Sequence, residues 1–156
     1  MIKVSILVVS SKIVEGREED KGKKRLSELI ASIPATLLSY EVVADAPSTI
    51  RERLTALADD GEADVVLTVG GTGVRPTDFV PDVTRDVADK EIPGIGEAMR
   101  AESLKKMRTA MLSRGTAAVR GKTLIVNLPG SPGGAHENLS VVLPVLEHTI
   151  DKIQGR

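Results

Sequence analysis

The sequence predicts an α/β fold in which a mostly parallel sheet is sandwiched between helices. Two observations lead there. Segments that are apolar on nearly every residue, as strands covered on both faces are, alternate with segments whose apolar residues recur at helical spacing. No repeat, low-complexity tract or linker interrupts that order, so residues 1–156 read as a single domain.

The elements follow in sequence. "IKVSILVVS" (2–10) is β-branched and apolar nearly throughout, the mark of a buried strand. "DKGKKRLSELIASI" spaces Leu26, Leu29, Ile30 and Ile33 as one helical face, which Pro34 ends. "TLLSYEVVAD" (36–45) reads as a second strand. Thr49 and Glu52 have the spacing of a capping box. Behind them Ile50, Leu54, Leu57 and Ala58 share one face of a helix stopping near Gly61. "ADVVLTV" (63–69) is a third buried strand. Asp82 to Lys90 predicts a short helix, with Asp82 suited to cap it. Residues 93–107 predict another, with Ile92, Ile95, Ala98 and Met99 turned inward. Residues 116–130 hold one or two strands around Gly121. The last helix carries Leu139, Val142, Leu143, Leu146, Ile150 and Ile153 on one stripe. Pro144 removes its bond to Ser140 and is expected to kink it.

Composition narrows the function. The chain has 156 residues, enough to bury roughly 70% of its unfolded surface. No apolar run approaches the ~20 residues of a membrane span, and "MIKVSILVV" is too short for a secretory signal. Cysteine is absent, which removes disulfides, thiolate metal sites and cysteine nucleophiles. These features predict a cytoplasmic protein without a membrane partner. The net charge is −1, and Tyr40 and Phe79 are the only aromatic residues. Nucleic-acid binding needs more positive charge and more stacking surface than that.

Chemistry is expected at the carboxyl ends of the strands, where sheets of this class bind ligands. Three loops sit there: Ser10, Ser11 and Lys12 after the first strand, "GGTG" (Gly70, Gly71, Thr72, Gly73) after the third, and "NLPGSPGG" (127–134) after the last. Glycine-rich loops bring backbone N–H groups close to phosphates, and a following helix adds its positive end. "GGTG" alone is equally compatible with a sharp turn, and it matches neither the Walker loop nor the dinucleotide fingerprint. "NLPGSPGG" alone reads also as a loop entering a helix capped by Ser131.

Asp78 and Asp82 follow the glycine loop. A carboxylate beside a phosphate cradle repels its ligand unless a cation intervenes, which points to Mg²⁺. Asp82 has the alternative of capping a helix; Asp78 has none. Asp45, ending the second strand, is either a similar carboxylate or a surface residue before a turn. Arg75 and Arg114 lie in glycine-containing loops where an anion can be met. His136 and His148, twelve residues apart on one helix, stand roughly 18 Å apart and cannot act as a pair. With no paired serine and histidine, covalent acyl chemistry lacks machinery, whereas transfer to a phosphate nucleophile needs only positioning and charge neutralisation.

"TVGGTGVRPTDFVPDVT", "DKEIPGIGEAMR", "AMLSRG" and "LIVNLPGSP", with "EDKG" before the first helix, resemble the MogA/MoaB family of molybdenum-cofactor biosynthesis proteins in order and over nearly the whole chain. The resemblance implies a three-layer α/β/α sandwich of the MogA-like, molybdopterin-binding type, assembled as a homo-oligomer, a trimer or hexamer. It implies molybdopterin adenylyltransferase activity, with AMP passing from Mg-ATP to the terminal phosphate of molybdopterin, and a molybdate-inserting protein downstream. The alternative within the family is a non-catalytic molybdopterin-binding protein of the MoaB type. The family's two aspartates fall on Asp45 and Asp78 as catalytic and Mg²⁺-binding residues. Ser10, Ser11, Gly70, Gly71, Thr72, Gly73, Asn127, Gly130 and Ser131 carry over as the pocket that binds substrate and nucleotide. Two departures stand out. Ser11 and Lys12 replace an aspartate followed by arginine or serine, leaving Lys12 as a phosphate contact. Phe79 stands where valine is common, either to stack on a heterocycle or to plug the core.

Overall fold

The computed structural model describes residues 1–156. Six strands form one sheet in the order β2-β1-β3-β6-β5-β4: β1 (Ile2–Val9), β2 (Ala35–Val43), β3 (Val65–Val69), β4 (Lys90–Glu91), β5 (Ala117–Arg120) and β6 (Thr123–Leu128). β2, β1, β3 and β6 run parallel, and β5 and β4 complete the sheet antiparallel. The main helices are α1 (Ser11–Val14), α2 (Lys23–Ala31), α3 (Pro47–Asp59), α4 (Val80–Val87), α5 (Pro93–Leu104) and α6 (Pro132–Ile153), with a 3₁₀ turn at Arg108–Leu112.

Strand alternation divides the core into two layers. On β1, Val4, Ile6 and Val8 face the layer built by α2, α5 and α6, while Leu7 and Val9 face α3 and α4. β3 and β6 repeat the division: Val65, Leu67, Leu124, Val126 and Leu128 join the first layer, Val66 and Ile125 the second. Helices on both faces are why these strands carry apolar residues at every position. The predicted three-layer sandwich is therefore present, and residues 116–130 form two strands turning at Gly121.

Three local readings need correction, and one short helix was not foreseen. α3 begins at Pro47 behind Ala46, so Thr49 and Glu52 lie inside the helix and form no capping box. Pro47 takes the first helical position, where its missing N–H costs nothing. α4 begins after Phe79 rather than at Asp82, whose carboxylate instead pairs with Arg114, and it ends at Val87, so that Lys90 lies in β4 and not in the helix. Ala98 is exposed, because Gly96 and Met99 carry the buried face of α5. α1, capped by the Ser10 side chain accepting from Ile13 N, has no apolar periodicity to announce it. α6 continues through Pro144, which lies on the exposed side. Leu139, Val142, Leu146 and Ile150 are its buried stripe, with Leu143 and Ile153 at the margin.

Candidate functional site

The parallel strands end on one edge, and there the chain leaves a cleft of about 930 Å³. It is lined by Ser10 and Lys12 from the first loop, Asp45 beyond β2, Gly70 to Gly73 beyond β3, Asp78, and Gly130 and Ser131 leading into α6. The two glycine loops meet along the cleft floor. Gly70 adopts φ +100, and a Cβ there would lie 2.5 Å from the Val9 carbonyl oxygen, so only glycine fits. Ser131 caps α6 by accepting from Gly134 N at 3.2 Å, which leaves the positive end of a 22-residue helix at the cleft.

The two aspartates are held differently. The Asp45 carboxylate accepts from Ser11 N at 2.9 Å, and Asp45 N donates back to Ser11 Oγ at 2.9 Å. This reciprocal pair ties the loop after β1 to the end of β2. Ser11 thus orients Asp45 and is not itself among the lining residues. Asp78 is 9% exposed and accepts from Arg75 N at 3.0 Å through Oδ2. In both aspartates Oδ1 has no donor from the protein.

Asn127 does not reach the cleft. It lies 1% exposed on the α3/α4 side of β6, where it donates to the hydroxyl oxygens of Thr68 and Thr84 at 3.0 Å each and accepts from Thr116 N at 3.2 Å. Its place is in the frame beneath the loops. Phe79 packs against the same layer as Val80 and Val83, so it is a plug. Arg114 meets no anion in the cleft, because protein carbonyls and Asp82 occupy its donors. Arg75 and Lys12 line the cleft with no ion-pair partner. His136 faces a neighbouring cavity of about 1120 Å³ that shares Thr72, Gly73, Leu112 and Ser131 with the cleft.

The residue-by-residue reading missed one wall. Glu18, Glu19, Asp20, Lys21 and Gly22 form a rim opposite the glycine loops, and Tyr40 lies behind it. The Tyr40 hydroxyl donates to Asp20 Oδ2 at 2.6 Å. Burial first, then this bond and the negative charge of Asp20, push the phenol well above its usual range. The signal available was the "EDKG" segment. In all, Lys12, Lys21 and Arg75 are set against Glu18, Glu19, Asp20, Asp45 and Asp78 around one cleft. That excess of carboxylates suits an anionic ligand only when a cation accompanies it.

A family model described as "Probable molybdopterin binding domain" matches residues 5–148. The molybdopterin adenylyltransferase of Helicobacter pylori (strain J99) is 38% identical over 156 residues, spanning 99% of this chain and 89% of its own. That of Escherichia coli K12 is 38% identical over 143 residues, spanning 90% of this chain and 73% of its own. The crystal structure of the molybdopterin biosynthesis enzyme MoaB from Thermus thermophilus superposes with a TM-score of 0.94 at 46% identity, covering 100% of this chain and 98% of that one.

Proposed function

Since the chain belongs to the molybdopterin-binding domain family of the MogA and MoaB proteins, we propose that it is a molybdopterin adenylyltransferase of molybdenum (or tungsten) cofactor biosynthesis. One observation supports this above the others: Asp45, Asp78 and both glycine loops, distant in sequence, line a single cleft. The reaction joins the terminal phosphate of molybdopterin to the α-phosphate of ATP and releases pyrophosphate. A phosphomonoester, with its second pKa at about 6, is already ionised near neutrality and needs no strong base. The protein's task is to hold two anions in line and offset their charge.

Gly71, Thr72, Gly73 and Ser131 line the cleft with N–H groups that make no bond within the protein and can meet phosphate oxygens, whereas Gly70 N donates to Leu128 O at 3.0 Å; Lys12, Lys21 and Arg75 supply positive charge. Asp45 and Asp78 would hold Mg²⁺. No cluster of three acidic or histidine ligands exists in the protein. Mg²⁺ nonetheless fits two carboxylates with free Oδ1 atoms, because it takes one or two protein carboxylates and fills its remaining positions with phosphate and water. Its contribution when bound is charge neutralisation at the phosphates. Ser11 keeps Asp45 turned toward the cleft, and the Asp78 carboxylate is fixed by Arg75 N.

The reading extends to a cytoplasmic homo-oligomer, trimer or hexamer, that passes its product to a molybdate-inserting protein. The exposure of Met107 and Met111, at 63% and 64%, supports the assembly; no helix is long and apolar enough to cross a membrane. Elution mass tests the assembly; a pure monomer contradicts it.

The enzyme assay uses the purified chain with molybdopterin and Mg-ATP and measures pyrophosphate and adenylylated molybdopterin. Asp78→Asn is expected to keep ligand binding and lose most turnover. A wild-type protein that binds molybdopterin without making product would instead be a binding protein of the MoaB type.

A further inference from the structure

Arg114 lies outside the cleft lining, yet nearly every donor it owns holds the cleft's wall. Its backbone N–H donates to Thr72 O at 2.7 Å and its Nε to Gly73 O at 2.8 Å. Nη2 donates to Asp78 O at 2.8 Å, and Nη1 donates to both oxygens of Asp82, at 2.8 and 3.0 Å. The residue arrives from a distant part of the chain, 36 positions after Asp78 and 41 after Gly73. Its own loop is fastened in turn: Arg100 Nη1 donates to Ser113 O at 3.3 Å and to Gly115 O at 2.6 Å.

We propose that Arg114 is a positioning residue for adenylyl transfer, clasping the carbonyls of Thr72, Gly73 and Asp78 so that the Asp78 carboxylate is presented to the cleft in one orientation. The inference rests on the reading that Asp78 serves the reaction.

These carbonyls belong to a loop between β3 and α4, where no strand or helix ladder satisfies them. A guanidinium has five N–H donors in one rigid plane, so it reaches Gly73, Asp78 and Asp82 at once; an ammonium is a point charge with no such fork. The bond to Asp78 O fixes that residue's main chain, and Arg75 N fixes its Oδ2. Held at both ends, the side chain keeps a single direction. Asp82 anchors the guanidinium from α4. That pair is half exposed, so it serves orientation more than stability.

The test compares wild type, Arg114→Lys, Asp82→Asn, Asp78→Asn and the Arg114→Lys/Asp78→Asn double variant, with molybdopterin and Mg-ATP as substrates. Arg114→Lys is expected to lower kcat about 10- to 100-fold while the KM for ATP moves less than about threefold. Asp82→Asn, which frees one side of the guanidinium at an exposed position, gives a smaller loss in the same direction. Adding Arg114→Lys to Asp78→Asn costs nothing further, since the clasp acts through that carboxylate. Amide exchange of residues 73–78 quickens in Arg114→Lys, while that of β1 is unchanged. Wild-type kcat in Arg114→Lys, a loss that multiplies with Asp78→Asn, or unchanged exchange at 73–78 would each overturn the proposal. If wild type itself makes no product, the adenylyltransferase reading fails instead, and the exchange measurement still decides whether Arg114 holds the loop.

Discussion

Replacing Asn127 by alanine distinguishes a frame residue from a ligand contact. In the structure its amide accepts from Thr116 N and donates to Thr68 and Thr84, all within the buried α4 side of the sheet. Alanine leaves the Thr116 N–H without a partner, a cost of about 1–3 kcal/mol. The two donated bonds contribute about 1 kcal/mol each, less whatever the threonine hydroxyls regain by turning elsewhere. The expected loss is about 3 kcal/mol, well above an ordinary surface substitution. For a domain of this length that lowers the thermal midpoint by about 6–12 °C. Urea unfolding followed by circular dichroism measures it, with the m-value checked for constancy. Nucleotide binding, measured at a temperature where the variant is folded, should stay within about threefold of wild type, a shift below 1 kcal/mol. A variant as stable as wild type that binds ATP at least about tenfold more weakly would refute the buried-frame argument and return Asn127 to the ligand.

Two other substitutions probe the cleft itself. Gly73 has an ordinary backbone conformation, but a Cβ there would sit 2.9 Å from Asp78 Oδ2. Gly73→Ala should therefore displace the carboxylate and cut turnover about tenfold or more while moving the thermal midpoint less than about 2 °C; unchanged turnover would sink the idea. Tyr40 is the sole tyrosine and tryptophan is absent, so an ultraviolet titration reads one phenol. It should ionise well above the ordinary value of about 10 in the native protein and near that value in urea. Because its folded pKa is raised, the stability it contributes is present below about pH 10 and is lost as pH climbs toward the folded value. Tyr40→Phe should flatten that alkaline loss, and a native phenol titrating near 10 would contradict the Asp20 contact.

The apolar strands were legible because each such run needs two faces to bury, and only a sheet covered by helices supplies them; β4 was not, because Lys90 and Glu91 are exposed and polar. Asp45 and Asp78 could be named as candidates from the sequence, but the cleft that both line could not. It depends on β1 lying between β2 and β3, which is a fact of topology. Asn127 misled because a polar residue at the end of a strand, before a glycine loop, looks like a ligand contact. Its parity held the correction: it matches Ile125, which faces α3 and α4, and not Val126 or Leu128. Arg114 was legible only as a residue placed to meet an anion, and its clasp on the glycine loop left no local trace. A lone arginine beside a glycine gives no sign of three carbonyls lying dozens of residues away. Thr49 and Glu52 show the opposite error, a local pattern displaced by a proline two residues earlier.

Where the two glycine loops meet, a Cβ on Gly130 would lie 3.3 Å from the Gly70 Cα, so main chain rests nearly on main chain. The strands that carry these loops are neighbours, with Val69 opposite Leu128. The gap between the two loops is therefore a gauge set by one rung of the sheet's ladder, a spacing of roughly 4.8 Å. Rotamer changes cannot widen it, and substitutions at other lining positions alter charge and outline without altering that width. A relative that preserves these two glycines and the rung between them inherits the same aperture, whatever else has drifted around it.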